Sequence, residues 1–202
     1  MRKLGKRILC CFLIAACFWC GSLIADRQKL RSELIRLHVV GASNSEADQA
    51  IKLRIKDAVT EYLYAAMADI SDVEQAKAYV RENLPKIQKA ANDALVALGV
   101  EPTAVATFCQ EEFGKRVYDT FTLPSGVYDS LRITIGEGEG RNWWCVVFPT
   151  LCLGATAEEL DAVAAGAGFS HSLTGAITGE ADYEIRFYLL DLLGKLENLV
   201  SR

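Results

Sequence analysis

Histidine, proline and methionine are scarce in this chain: two, four and two among 202 residues. Two histidines, His38 and His171, give almost nothing to build a metal centre from. The only Cys or His pair near ligand spacing is Cys145 and Cys152, which lie across a proline turn. Neither G-x-S-x-G nor H-E-x-x-H occurs. No metal and no cofactor is therefore expected. No internal repeat is present. Basic charge is also short, with 22 Lys and Arg against 26 Asp and Glu. Four of those cations, Arg2, Lys3, Lys6 and Arg7, sit at the N-terminus, leaving 18 against 26, a net charge of −8. That balance argues against nucleic acid and against docking by charge on an anionic membrane surface.

Charge is missing altogether from Ile8 to Ala25, a run of 18 residues that Asp26 ends. The length is short for a membrane span and long for the apolar core of a signal peptide. The basic flank should stay in the cytoplasm, with everything after Asp26 outside. Residues 1–25 read as a signal peptide or membrane anchor, with the membrane met through residues 8–25, and residues 26–202 as one exported domain. An uncleaved anchor or late cleavage is favoured over lipidation at the Ile14-Ala15-Ala16-Cys17 box, because the chain stays apolar after Cys17. Cys10, Cys11, Cys17 and Cys20 are then apolar filler.

Beyond the anchor the periodicity alternates between 2 and 3.6. Glu33 to Val40 reads as a strand and Gly41 to Ser45 as a turn, with Ser43 and Glu46 at capping-box spacing. Ile51, Ile55, Val59, Tyr62 and Ala66 mark the core face of a helix. A second helical stripe runs from Val73 to Leu98, starting near Asp72, and Pro85 should kink or split it. Strands are expected over 103–113, 116–123 and 127–135. The turn Gly136-Glu-Gly-Glu-Gly140 should then return the chain as a hairpin into a strand from Trp143 to Phe148. Its two glutamates and the strand that follows argue against a phosphate loop. Thr156 and Glu159 should cap a short helix to about Ala165, and residues 166–182, rich in Gly, Ser, Thr and Ala, should form a mobile loop. A last helix should carry Ile185, Leu189, Leu192/Leu193, Leu196 and Leu199 on its core stripe. The order implies an α+β domain with a mostly antiparallel sheet packed by helices.

The stretch NWWCVVFPTLC, 142–152, is the richest in chemistry. Alternation puts Trp143, Cys145 and Val147 on one face and Trp144, Val146 and Phe148 on the other. Such a strand is central, or covered on one face and sticky on the other. Arg141, Asn142, Trp143 and Trp144 are the candidate partner-binding residues, since Trp and Arg are favoured where interfaces concentrate their energy. Two readings stand for Cys145 and Cys152: a disulfide, adding about 2–3 kcal/mol for so short a loop, or free buried thiols. Cys109 is expected to be a buried thiol in its strand. A cysteine hydrolase acting on cell wall or protein would need Cys145, His38 and Asn142 to meet. The favoured expectation is that the chain is not an enzyme.

Two motifs carry a resemblance. The first is Ile35-Arg-Leu-His-Val-Val40, a Ser/Asn turn, Asp48-Gln49 and Ile51-Lys-Leu-Arg-Ile-Lys-Asp-Ala-Val59. The second is Ile135-Gly-Glu-Gly-Glu-Gly-Arg-Asn-Trp-Trp-Cys-Val-Val-Phe-Pro-Thr-Leu-Cys152. Glu184-Ile-Arg-Phe187 fits as well. With these the chain resembles the stage II sporulation protein R family of endospore-forming bacteria from about Leu34 to Leu193. The family's turn usually reads Ala-Asn-Ser-Asp-Ser; Gly41-Ala42-Ser43-Asn44-Ser45 departs from it, leaving capping by Ser43 or Ser45 as its role. The resemblance implies a signal exported into the space between the two sporulation membranes. There it would trigger a membrane-embedded aspartic protease that trims the precursor of the early mother-cell sigma factor.

Overall fold

The computed structural model describes residues 2–149 and 157–200. Helix α1 (Arg2–Ser32) is followed by strand β1 (Ile35–Val40) and helices α2 (Glu46–Ala66), α3 (Val73–Glu82) and α4 (Leu84–Ala97). Then come β2 (Ala104–Phe113), β3 (Arg116–Val117), β4 (Thr122–Leu123), β5 (Gly126–Ile135) and β6 (Asn142–Phe148). Helices α5 (Ala157–Gly166), α6 (His171–Thr178) and α7 (Glu184–Val200) complete the chain. The fold is α+β, as the alternating periods implied.

The four-stranded sheet has the order β2-β5-β1-β6, while β3 and β4 pair with each other. Two of its three pairings are antiparallel, and β1 runs parallel to β5. The expected β5–β6 hairpin does not form: β1 lies between the two strands. The reason is in β1 itself, IRLHVV, whose residues are buried on both faces except for a half-buried His38. A strand covered on both sides belongs in a sheet's interior. The same fact moves β6, expected as central or one-side covered, to an edge.

One face of the sheet meets α2, α3 and α4. Ile55, Val59 and Leu63 from α2, Val80 from α3, and Ile87, Ala91 and Leu95 from α4 pack on Leu37, Val39, Leu131, Ile133, Cys145 and Val147. Ser45 caps α2, accepting from the Asp48 N–H, so the cap is Ser45 and not Ser43. Asp72 caps α3 in the same way. Pro85 divides the long stripe at Asn83, where its missing N–H costs nothing in the first turn of α4.

The opposite face carries a second core from the end of α1, the β3–β4 ribbon, α6 and α7, through Leu30, Leu34, Phe113, Leu123, Tyr128, Val146, Leu173 and Leu190. Arg36 is fully buried in it. Its guanidinium lies 4.0 Å from the Phe113 ring centroid and 5.1 Å from that of Tyr128, and it donates to the Tyr118 hydroxyl at 2.7 Å. Aromatic faces thus do much of the work of water for this cation. Burial pushes the Tyr128 hydroxyl up to about 12, so it stays a donor, to the Pro124 carbonyl at 2.8 Å.

Two expectations change here, and a third falls outside the described residues. Residues 166–182 are not one loop: α6 is capped by Ser170, ends at left-handed Gly179, and buries Leu173, Ala176 and Ile177. The i, i+4 pair Leu173 and Ile177 outweighs the loop-like composition around it. The proposed cap at Thr156 lies outside the described residues. The stripe expected as the core of α7 mostly faces outward, with Ile185, Leu192, Leu196 and Leu199 exposed and Arg186, Leu190, Asp191 and Gly194 buried. Asp191 accepts from the Ser125 N–H at 2.8 Å. Gly194 lies where a Cβ would overlap the Ser125 carbonyl oxygen. These contacts set the rotation of the helix. Gly194→Ala should therefore push α7 off β5 and destabilise the protein by about 1–3 kcal/mol, read as a lowered unfolding midpoint in chemical denaturation; an unchanged midpoint would contradict the close approach.

Candidate functional site

The turn after β1 and the glycine-rich turn before β6 form one unit. To join β6, the chain leaving β5 must step over the end of β1, a span of two inter-strand spacings, about 10 Å. It does so in contact with the first turn: Glu139 N–H donates to the Ala42 carbonyl at 3.2 Å and Gly140 N–H to the Gly41 carbonyl at 2.8 Å. A Cβ on Gly140 would overlap the Ser43 carbonyl oxygen, which is why the crossing needs glycine there. Arg141 N–H donates to Asn44 Oδ1 at 2.8 Å. Lys52 Nζ reaches the Arg141 carbonyl at 3.0 Å, and Gln49 Nε2 the Ser43 carbonyl at 2.8 Å. Burial, followed by the charge of Arg141, lowers the Lys52 ammonium below its ordinary value. Asn44 thus acts by fixing the start of β6.

That start presents the four candidate residues. Arg141, Asn142 and Trp143 are exposed and Trp144 is half-buried. The tryptophans point to opposite faces. Trp143, with 37 % of its surface exposed, has Lys56 of α2 5.3 Å from its ring centroid. Trp144 is stacked on His38 at 5.6 Å between centroids, with the Arg116 guanidinium 3.6 Å above the ring. A cation over each ring makes both tryptophans amphipathic surfaces, apolar below and charged above.

Beside Trp144 lies a polar cluster that sequence reasoning missed. Glu111 of β2 sits 3.2 Å from His38 Nδ1, accepts from the Ser130 hydroxyl at 2.5 Å and from Arg132 Nη1 at 3.1 Å. An ionised carboxylate can only accept, so Nδ1 carries the proton; His38 Nε2 is buried without a hydrogen-bond partner. Burial alone would raise the Glu111 carboxyl, but the bonds from His38 and Ser130 and the charges of His38 and Arg132 hold it below the ordinary carboxylate value. The period-2 spacing from Arg36 to His38 and from Ser130 to Arg132 was the available signal. Which residue of β2 would join them depends on register across a separate strand.

The trio needed for a cysteine hydrolase is not assembled. Cys145 pairs in register with Leu37 and points into the helix-covered core, whereas His38 pairs with Trp144 on the other face. Cys145 is also disulfide-bonded; Cys152 lies outside the described residues. Cys109 is an exposed free thiol, not a buried one. Partial desolvation and then the charge of Glu111 raise it, against Arg132, so it is not activated. Among the described residues no cluster of three or more His, Cys, Asp or Glu could hold a metal ion.

Fold and site together define a class: an α+β protein whose N-terminal helix is long and apolar enough to cross a membrane, and whose sheet ends in a cation-decorated tryptophan pair. The chain belongs to the stage II sporulation protein R family, whose sequence profile matches residues 31–158. It is 35% identical over 120 residues to the stage II sporulation protein R of Bacillus subtilis (strain 168), across 59% of this chain and 54% of that one. The chain thus spans about half the length of this relative. No solved structure matches it.

Two outcomes test this geometry. Gly140→Ala should cost about 1–3 kcal/mol by overpacking the crossing, and amide exchange should rise at both turns together; a rise at only one would show that they are not a unit. For Glu111, a depressed carboxyl contributes stability that is complete above its ordinary range and is lost as pH falls through the depressed value. Glu111→Gln should cost about 1–3 kcal/mol at neutral pH. The deficit should shrink on acidification below about pH 4, as measured by denaturation at a series of pH values. A deficit that stays constant with pH would show that the charge of Glu111 is not what matters.

Proposed function

We propose that this protein is an exported sporulation signal passed between compartments, which activates a membrane-embedded aspartic protease and so leads to processing of the precursor of the early mother-cell sigma factor. It acts as a protein ligand rather than as a catalyst. Family membership over residues 31–158 supports the sporulation role. The apolar helix compatible with a signal or anchor segment supports export. The observation that carries the ligand reading is the start of β6, where Trp143 stands exposed with Lys56 over its ring, on a strand that has a sheet neighbour on one side only among the described residues. Exposed tryptophan beside cations, mounted on a rigid sheet edge, is the composition of an interface anchor.

The mechanism that follows is binding without chemistry. The domain meets the protease through Arg141, Asn142, Trp143 and Trp144, and the protease performs the cleavage. Trp143 supplies apolar area that loses water on contact. Arg141 selects for acidic or aromatic groups opposite. The crossing of Gly136–Gly140 over Gly41–Ser43 keeps this edge from rearranging, so little ordering cost falls on association.

The test is reconstitution in a non-sporulating host. The protease and the sigma-factor precursor are expressed with and without this chain, and the shortened sigma factor is detected by blot. Processing is expected only when the chain is present. Trp143→Ala should abolish or strongly reduce it while leaving the fold intact, since truncating an interface anchor costs about 2 kcal/mol or more of binding. No processing with all three proteins folded and correctly placed would overturn the trigger reading.

A further inference from the structure

The inward face of helix α7 puts Leu190 into the core and is otherwise held by charge and hydrogen bonds. Arg186 donates to Asp26 through Nε at 2.8 Å and Nη2 at 2.5 Å, and from Nη2 to the Ser22 hydroxyl at 3.2 Å. Glu197 pairs with Arg27 and Arg31 of α1 and accepts from the Val127 N–H. Asn198 donates to the Phe113 carbonyl. Its outward face is apolar: Ile185 is 70 % exposed, Tyr188 65 % and Leu199 69 %, with Leu192 and Leu196 exposed between them. These five recur at intervals of three and four, so they form one continuous stripe. A helix in water presents the reverse arrangement, and a stripe of this extent marks a surface that something covers.

The attachment to α1 shows what lies beside it. Ser22 belongs to the uncharged run Ile8–Ala25, and Arg186 is bonded to both Ser22 and Asp26, so the first turn of α7 is level with the end of that run. Between this attachment and that of Glu197, α7 advances eleven residues, about 16 Å, while α1 advances roughly five, about 8 Å. The helix therefore crosses α1 obliquely and stays close to the level where the apolar run ends. The α1 run beside it is itself exposed and apolar, at Phe18, Trp19 and Ile24 among others. Exposed Trp19 and Tyr188 lie within three residues of this attachment along their own helices, and aromatic side chains of this kind favour the level where hydrocarbon meets water.

We infer that the outward stripe of α7 rests in the interfacial layer of the lipid bilayer that α1 enters, as an in-plane amphipathic helix. This rests on the reading of α1 as a membrane span. The contact is apolar, so the net negative charge of the domain does not oppose it and added salt does not release it. The buried pair Asp26–Arg186 then acts as a joint that fixes the tilt of the domain, and so the height of the Trp143 edge, relative to the membrane.

The full chain in phosphatidylcholine vesicles tests this. A photoreactive benzoylphenylalanine is placed in turn at Phe18 in α1, at Tyr188 and Leu196 in α7, and at exposed Val96 in α4 on the far side of the sheet. Lipid adducts are scored by mass spectrometry. The expected result is adducts at Phe18, Tyr188 and Leu196, none at Val96, and yields unchanged by salt. Adducts at Phe18 without any at Tyr188 and Leu196 would overturn the inference while leaving the span intact. Crosslinks from Tyr188 to a second copy of the chain, in place of lipid, would overturn it in favour of self-association. Absence of adducts at Phe18 would sink the spanning reading and the inference with it.

Discussion

The position of β1 between β5 and β6 constrains almost everything else in this molecule. Ile35–Val40 supplies core residues to both layers, Leu37 and Val39 toward α2–α4 and Arg36 and His38 toward the other side. Its neighbours must therefore approach from either flank, and the chain leaving β5 has to pass over its end. Glycine at 140, the carbonyls of Gly41 and Ser43, and the amide of Asn44 all serve that passage. The exposed start of β6 is a direct result: a strand reached by a bridge over a central strand ends up at the sheet's edge, with its first residues in solvent.

The two faces of the sheet are built on different physics. The side toward α2–α4 is an apolar layer with helices at ordinary amphipathic register. The other side contains a fully buried arginine between aromatic rings and, at its open end, a carboxylate shared by His38, Ser130 and Arg132. Buried charges of this kind add little net stability, but they penalise any arrangement in which a partner is missing. The same holds for α7, which is fastened by Arg186, Asp191 and Glu197 as well as by Leu190. Polar fastening leaves the leucine stripe available for another phase, and the fastening runs to α1, the element that meets the membrane in the proposed arrangement.

Much of the α2–α4 layer was legible in the chain. The stripes from Ile51 to Ala66 and from Val73 to Leu98, the break at Pro85 and the cap at Asp72 are local matters, settled by periods and by residues a few positions apart. The longer strands were legible for the same reason, but 116–123, expected as one strand, is a ribbon of two short ones, Arg116–Val117 and Thr122–Leu123, turning back on each other. The candidate site was legible only in part. Trp143 and Trp144 stood out by composition, and their opposite orientation followed from alternation. Lys56 and Arg116, which lie over the two rings, come from elements far away in sequence, and Glu111 joins His38 only through the register of β2 on β5.

By itself, then, the sequence determined the uncharged N-terminal run, the helical and extended segments, the aromatic pair and the family to which they belong. Each of these is written in neighbouring residues. Tertiary structure alone decided that β1 separates β5 from β6, that Cys145 and His38 face opposite ways, and that the apolar side of α7 looks outward. The physical reason is common to all three. Periodicity reports that one face of an element is apolar, not what will cover it. That choice is made by pairings between segments as much as 170 residues apart, such as Arg27 with Glu197, whose energies appear only once the chain has closed on itself.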